Sequence, residues 1–480
     1  MVNDKYFNFK LNSQQLHVFN ELKLFIKNND DHIFILKGYA GTGKTTLMSG
    51  LIKYLKEIKQ NFQLLASTGR ASKILSDKTN LSASTIHSQI YSFEGLSEDL
   101  EKMHHDQENN IDDKGQISLL FSLNQIVSEN TILYIVDEAS MISDSKNPGT
   151  SFARFGEGKL LSDMLKFDKN GKFIFLGDPC QLPPINQKDS PALTSEYIIN
   201  THNKNVKEFQ LTQIMRQAEN NGIISASFSI RKLYEQNPSF DLVKWPKLSF
   251  RNKQNINLIT THADLINKYI NSMRQHGKEH STFICRTNSQ CRDINKLIRS
   301  ILFKDPLRMQ IGDLLLVTQN NQLANLVNGD LIEIIEIGKT ESRCGLNFVN
   351  VKVKELASKN IFNLLLIEDI LHSSLTNITE KQHKDLMIDY YLRMKRKGVH
   401  YKSKTFINSM RSDSYLNAIK SVFGYALTCH KSQGGEWEEV FLSLENKMYG
   451  MSRPGLFQWW YTAITRAKTK LNVVDDWFIQ

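Results

Sequence analysis

The run Gly38-Tyr-Ala-Gly-Thr-Gly-Lys-Thr-Thr46 follows directly on the apolar stretch His32-Ile-Phe-Ile-Leu-Lys37, and this junction constrains the fold more than any other segment. Gly38, Gly43, Lys44 and Thr45 fit G-x-x-x-x-G-K-[ST]. The apolar stretch reads as a buried strand, and Thr45 to Lys56 reads as a helix. A glycine-rich turn between two such elements lets backbone N–H groups wrap an anion, and the helix N-terminus adds a favourable partial charge. The expected ligand is a nucleotide held by Gly38, Ala40, Gly41, Thr42, Gly43, Lys44, Thr45 and Thr46. Lys44 would reach the β- and γ-phosphates, and the Thr45 hydroxyl would bind Mg²⁺, so ATP and Mg²⁺ are the expected pair.

Thr131-Ile-Leu-Tyr-Ile-Val-Asp-Glu-Ala139 is the second chemical piece. An apolar strand ending in two carboxylates places Asp137 where it can hold Mg²⁺ and Glu138 where it can polarise an attacking water. An acidic pair after a strand is ordinarily a solvated turn; the phosphate loop upstream favours the chemical reading.

The 480 residues exceed one domain, and a net charge of +10 favours an anionic partner without identifying it. Cys180, Cys285, Cys291, Cys344 and Cys429 form no C-x-x-C pair, as expected of a reduced, cytoplasmic protein without structural zinc or an iron–sulfur cluster. The N-terminus lacks an apolar signal-like run, and no stretch of about 18 apolar residues occurs, so no membrane insertion is expected.

Strand-like and helix-like runs alternate from Ile33 to about Leu211, with strands at Gln63–Ala66, Thr131–Val136 and Lys172–Leu176. A second α/β series starts near Ile256, with a strand at Ser281–Cys285 and a helix at Gln290–Ile301. It resumes at Val422–Thr428, Glu439–Leu444 and Lys470–Val474. Such alternation predicts parallel sheets covered by helices. Residues 89–127 break the rhythm: an acidic run lies between strand-like Gln89–Phe93 and Ile117–Leu123, which predicts an inserted hairpin. Residues 311–415 break it again, with short antiparallel strands expected at Asp313–Thr318, Gly329–Ile337 and Asn347–Lys354. A basic helical stretch follows, carrying Arg393, Lys395, Arg396, Lys397, Lys402 and Lys404. It reads equally as a phosphate-binding face or a solvated one; if it binds, replacing Arg393, Lys395 and Arg396 should flatten the salt slope of DNA affinity.

Read in order, the remaining motifs resemble a superfamily 1 helicase, closest to the Dda-type and RecD-like branch (superfamily 1B) with a UvrD-like C-terminal lobe. Leu11-Asn-Ser-Gln-Gln15 resembles the Q motif, which implies that Gln15 reads the adenine edge. Leu65-Ala-Ser-Thr-Gly-Arg-Ala71 and Ala83-Ser-Thr-Ile-His-Ser88 resemble first-lobe DNA loops. Gly177-Asp-Pro-Cys-Gln-Leu-Pro-Pro184 resembles the motif coupling γ-phosphate to DNA, with Gln181 as sensor. Leu211-Thr-Gln-Ile-Met-Arg-Gln217 implies a γ-phosphate arginine at Arg216, Tyr425–Gly434 is similar to the signature loop of the second lobe, and Tyr461-Thr-Ala-Ile-Thr-Arg-Ala467 supplies Arg466. Ser67 and Met215 depart from the pattern, standing where many relatives place a proline and some an adenine-stacking tyrosine.

The resemblance implies two RecA-like P-loop NTPase lobes with a hairpin "pin" in the first and an SH3-like insertion in the second. The expected segments are 1–88 and 128–215 for lobe one, 89–127 for the pin, 216–310 and 416–480 for lobe two, and 311–415 for the β-rich insertion. The implied catalytic set is Lys44, Glu138, Gln181, Arg216 and Arg466, with Gly434 added to the nucleotide contacts. Thr68, Thr85, His87, Thr287, Asn288, Thr428, His430 and Ser432 become the expected DNA contacts, since small hydroxyl and amide donors suit phosphate oxygens without reading sequence. Phe93 is the favoured pin aromatic, because a wedge needs an apolar tip to stack on a base pair. The implied activity is ATP-driven DNA unwinding, 5′→3′, by a monomer acting on single strands and single–double-strand junctions alongside replication or recombination proteins. An RNA helicase or ribonucleoprotein remodeller, and an ATP-regulated DNA-binding subunit of a recombination complex, are the alternatives.

Overall fold

Ile33 to Leu36, Leu133 to Val136 and Phe173 to Leu176 are buried along their whole length. Strands apolar on both faces need cover on both faces, the condition for a parallel sheet inside helices. The computed structural model describes residues 4–97, 100–101, 118–124, 126, 131–146, 153–213, 221–236 and 246–480. Its first nine strands are β1 (Ile33–Gly38), β2 (Phe62–Ala66), β3 (Ala83–Thr85), β4 (Tyr91–Leu96), β5 (Leu119–Leu123), β6 (Leu133–Asp137), β7 (Ala153–Phe155), β8 (Lys172–Gly177) and β9 (Val206–Leu211). Six of them form a parallel sheet in the order β3-β2-β6-β8-β1-β9.

The second half adds β10 (Ile256–Ile259), β11 (Ser281–Cys285), β12 (Leu314–Val317), β13 (Leu331–Arg343), β14 (Leu346–Glu355), β15 (Ile361–Ile367), β16 (Ser421–Phe423), β17 (Ala426–Thr428), β18 (Trp437–Leu442) and β19 (Ala467–Val474). A second parallel sheet runs β10-β19-β18-β11-β17. The chain is therefore α/β with two P-loop-type lobes, as expected.

The β-rich insertion is an antiparallel sheet, β15-β14-β13-β12-β16, and it corrects one strand assignment. Val422–Thr428, expected as a single strand, is two: β16 pairs with β12, and β17 pairs with β11 of the second lobe. Gly424 sits at the switch between them. A Cβ there would lie 2.9 Å from the Leu315 carbonyl carbon and 2.9 Å from the Leu316 nitrogen, so the chain can change sheets there only as glycine. The antiparallel sheet thus reaches past residue 415.

β4 and β5 pair antiparallel at the base of the acidic insertion, with Phe93 opposite Phe121, and β7 joins β5 as an unanticipated parallel third strand. Phe93, expected at the pin tip, lies within this paired base; residues 98–99 and 102–117 lie outside the described residues. Beyond the base, Leu100 packs with Met387, Tyr390, Tyr391, Met394 and Phe406 of the second insertion.

The basic stretch is also corrected. Residues 393–404 are not one helix: Glu380–Arg396 ends and Lys404–Ser412 begins anew. Arg393 does not face solvent, since its Nε donates to Asp389 at 2.8 Å and its guanidinium forks onto both oxygens of Asp413. Arg393→Ala should therefore cost about 1–3 kcal/mol in a denaturant titration by stranding those carboxylates, and leave the salt slope of DNA binding as it was. Unchanged stability with a flattened slope would instead put Arg393 on a phosphate. Among the described residues no helix is long and apolar enough to cross a membrane.

Candidate nucleotide site and the seam between lobes

β8 lies between β1 and β6, with Lys37 opposite Gly177 and Val136 opposite Phe175. The loops leaving these three strands, at 38–43, 137–138 and 178–181, therefore emerge side by side at the C-terminal edge of the sheet, where open parallel sheets take ligands. Gly41 and Gly43 hold φ of +76° and +88°, the left-handed turns that lead into the helix Lys44–Glu57. Thr42 is buried and donates to the Tyr39 carbonyl at 2.8 Å. Lys44 lies along the loop, donating to the carbonyls of Gly38 and Tyr39. Thr45 is exposed on the first helical turn, and Thr46 is half-buried beside it.

Glu138 adopts a left-handed backbone (φ 51°, ψ 40°), which is strained for a non-glycine residue, and its N–H donates to Asp137 Oδ1 at 2.9 Å. Burial, and then the adjacent Asp137, push the Glu138 carboxyl up to about 7, while Arg466 and Lys44 pull it down. Burial likewise raises Asp137 and Asp178, with Lys44 opposing both. Lys44, Asp137, Glu138, Asp178 and Arg466 thus act on one another electrostatically. Gln181 is buried, and its Oε1 has no hydrogen-bond partner, an acceptor waiting for a donor inside the cleft.

The second lobe closes this edge. Tyr461 and Thr462, on the buried helix Arg453–Ile464, meet the first lobe directly. The Tyr461 hydroxyl donates to Asp178 Oδ2 at 2.7 Å and accepts from the Ala40 N–H at 2.8 Å. Leu182 is held from both sides: its N–H donates to Thr462 Oγ1 at 2.9 Å, and its carbonyl accepts from Gln433 at 3.0 Å. Tyr39 donates to Glu235 at 2.6 Å, with the Arg231 guanidinium 3.6 Å from its ring centre. Arg466 is buried, donating to the carbonyls of Thr462 and Gly435 and to Thr465 Oγ1. The seam extends to the β-rich insertion, where Lys73 pairs with Asp330 and Glu355 at 2.5 and 2.8 Å. The motif spacing had placed Arg466 but assigned nothing to Tyr461, Asp178, Tyr39 or Lys73. Tyr461 stood in the quoted motif, yet only its distant partners distinguish it from a core tyrosine.

Several expectations are changed. Gln15 is fully buried with both ends of its amide engaged: Oε1 accepts from the Asn12 N–H and Nε2 donates to the Thr42 carbonyl at 3.1 Å. It braces the phosphate loop and caps its own helix through these two bonds. Gly434 packs against Ala71, at 3.1 Å from its notional Cβ. Arg216 and Met215 lie outside the described residues.

Among the nucleic-acid candidates, Thr68, Thr85, Thr287 and Thr428 each cap a helix N-terminus, accepting from Ala71, Ser88, Gln290 and Lys431 N–H groups. Each follows a strand (β2, β3, β11, β17), so the caps lie along the C-terminal edges of the two sheets, where the remaining first-turn N–H groups point outward. Asn288 is exposed beside Thr287. Ser432 is wholly buried and donates to the Cys429 carbonyl at 2.8 Å, so its hydroxyl is engaged within its own turn. His87 sits against Phe155 and Tyr91, and burial lowers the pKa of both His87 and His430, keeping them neutral.

Residues 10–237 match the AAA domain family, and residues 423–474 match the UvrD-like helicase C-terminal domain family. The chain is similar to RecBCD enzyme subunit RecD of Buchnera aphidicola subsp. Schizaphis graminum, at 24% identity over 96% of this chain and 73% of that protein. It is similar to the ATP-dependent RecD2 DNA helicase of Deinococcus radiodurans, at 23% identity over 91% of this chain and 46% of that protein. A solved Pif1 helicase from Bacteroides, in complex with ADP-AlF3 and ssDNA, shares 16% identity over 98% of this chain and 94% of that one, with a TM-score of 0.48. With one family match on each lobe and the motifs in order within them, the chain is a superfamily 1B helicase of the RecD-like branch.

Proposed function

We propose that this protein is an ATP-driven motor that moves 5′→3′ along single-stranded DNA and unwinds the duplex ahead of it. The observation that carries the reading is the shared cleft: Lys44 of the phosphate loop and Asp137 on one lobe, and buried Arg466 on the other, all act on the Glu138 carboxyl. Phosphoryl transfer asks mainly for positioning and charge neutralisation, which this set supplies. Lys44 would hold the β- and γ-phosphates. Glu138, raised toward neutrality by its surroundings, is poised to take a proton from the attacking water, and the unpartnered Gln181 Oε1 to orient it.

The residues present also fit Mg²⁺. One carboxylate at Asp137 and one exposed hydroxyl at Thr45, completed by substrate phosphates, are the sparse protein ligation this ion takes. When bound it would neutralise charge on the phosphates. Arg466, braced on Thr462 and Gly435, would meet the γ-phosphate when the lobes close, so closure switches hydrolysis on and hydrolysis releases closure.

The strand would lie across the four capped helix ends, gripped by Thr68, Thr85 and His87 on the first lobe. Thr287, Asn288, Thr428 and His430 would grip it on the second. Ser432, already engaged, would support that loop rather than touch DNA. Polarity is tested by strand displacement on 5′-tailed and 3′-tailed duplexes, run beside ATPase assays with single-stranded DNA and RNA. Unwinding of 5′-tailed duplexes alone, with stimulation by DNA, is expected. Unwinding only from 3′ tails would refute the direction, and stimulation by RNA alone would refute the substrate.

A further inference from the structure

Of the two side chains by which the helix Arg453–Ile464 bonds to the first lobe, Tyr461 uses both of its hydrogen-bonding capacities there. A tyrosine hydroxyl has one proton to give and lone pairs to receive with. Tyr461 gives its proton to Asp178 at 2.7 Å and receives the Ala40 N–H at 2.8 Å. Asp178 follows β8, and Ala40 lies in the phosphate loop after β1, so a single atom of the second lobe sets the spacing between two neighbouring loops of the first.

The mounting of Tyr461 is stiff. Leu456 to Ile464 are all buried, and this helix packs on Gly222–Glu235, whose Glu235 and Arg231 grip Tyr39, the residue preceding Ala40. Two consecutive residues of the phosphate loop are therefore tied to two mutually packed helices of the second lobe. The residue after Tyr461 holds Leu182 through its hydroxyl and braces the Arg466 Nε through its carbonyl at 3.1 Å. A shift of Ala40 relative to Asp178 must move the helix on which Arg466 is braced, or break the bridge.

We propose that Tyr461 is a positioning residue that ties the geometry of the phosphate loop to the placement of Arg466, so that nucleotide held by the loop is cleaved only with the second lobe in register. This rests on the ATPase reading given above. The hydroxyl touches loop backbone and Asp178; its effect on hydrolysis passes through them and through Thr462.

The test is Tyr461→Phe in the full chain, which keeps the ring and its packing and removes only the oxygen. Tyr134→Phe is the control: it removes an equally buried hydroxyl, bonded to Asp168 at 2.9 Å, near the opposite end of β6 from Asp137. DNA-stimulated ATP hydrolysis is measured for both, with thermal melts. For Tyr461→Phe the expected result is a fall in kcat of about tenfold, the scale of one buried hydrogen-bond network lost, with KM for ATP moved by less than about threefold. Tyr134→Phe should lower the melting temperature and leave kcat alone. Wild-type kcat in Tyr461→Phe overturns the proposal. So does a variant that melts well below Tyr134→Phe and loses ATP binding along with turnover, since the hydroxyl would then serve folding. A wild-type chain that shows no DNA-stimulated hydrolysis refutes the ATPase reading itself, a result distinct from either.

Discussion

Lys44→Ala should abolish DNA-stimulated ATP hydrolysis and strand displacement together, with kcat falling by about 10²–10³ or more. Lys44 brings the phosphate loop its one full positive charge, in a cleft dry enough that burial pushes Glu138 up to about 7 and raises Asp178. Charge stabilisation in such surroundings is worth far more than in water. The fold should survive, because the hydrogen bonds of Lys44 go only to carbonyls of its own loop, Gly38 and Tyr39, and the buried carboxyls it holds down, Asp137, Glu138 and Asp178, can take up a proton when its charge is gone. A melt near wild type with both activities gone is the expected pair of results. Unwinding by Lys44→Ala at a rate near wild type would mean that the active site lies elsewhere.

Arg466→Ala should lower kcat further, by about 10³–10⁵, the range for an arginine that neutralises a transferring phosphoryl group. ATP binding should hold, since the loop and its helix belong to the other lobe. Arg466→Lys keeps the charge but not the fork that spans the Thr462 and Gly435 carbonyls, so it should recover only a small part of the rate. The residual activity carries a second signature. Arg466 holds the Glu138 carboxyl down, so its loss lets that group climb above about 7. A carboxyl protonated at neutral pH is no base, and the acid limb of the pH–rate profile should move to higher pH in Arg466→Ala. Wild-type turnover in this variant would remove Arg466 from the reaction, and an unmoved acid limb would remove Glu138 from that limb.

The parallel strands were legible because their residues are apolar throughout, and a fully buried strand admits few readings once a glycine-rich loop ends it. Val422–Thr428 reads as one strand for the same reason: its apolar run continues across Gly424, and only the Leu315–Leu316 backbone pressed against that glycine shows that the chain changes sheets there. The basic stretch misled in the opposite direction. Arg393 looks free in a run of cations, but Asp389 sits one helical turn away and Asp413 caps the end of the next helix, and together they consume it. The motif of Gln15 points to adenine, whereas its bonds to Asn12 and Thr42, which brace the phosphate loop, come only from the fold. The hairpin was expected from two apolar runs around an acid stretch, yet nothing local marked β7 as its third strand.

By itself the sequence determined the phosphate loop, the carboxylate pair after β6 and the two-lobe order of elements. These depend on residues within a few positions of one another, and glycine spacing and apolar runs dictate backbone geometry locally. Only the tertiary structure decided how the lobes meet. Ala40 and Tyr461 stand 421 residues apart and Asp178 and Tyr461 stand 283 apart, yet one hydroxyl joins all three. Spacing along the chain carries no information about which buried side chain will arrive from the far end. Packing of the second lobe's helices settles it, and the arrival turns a phosphate loop into half of a cleft shared by both lobes.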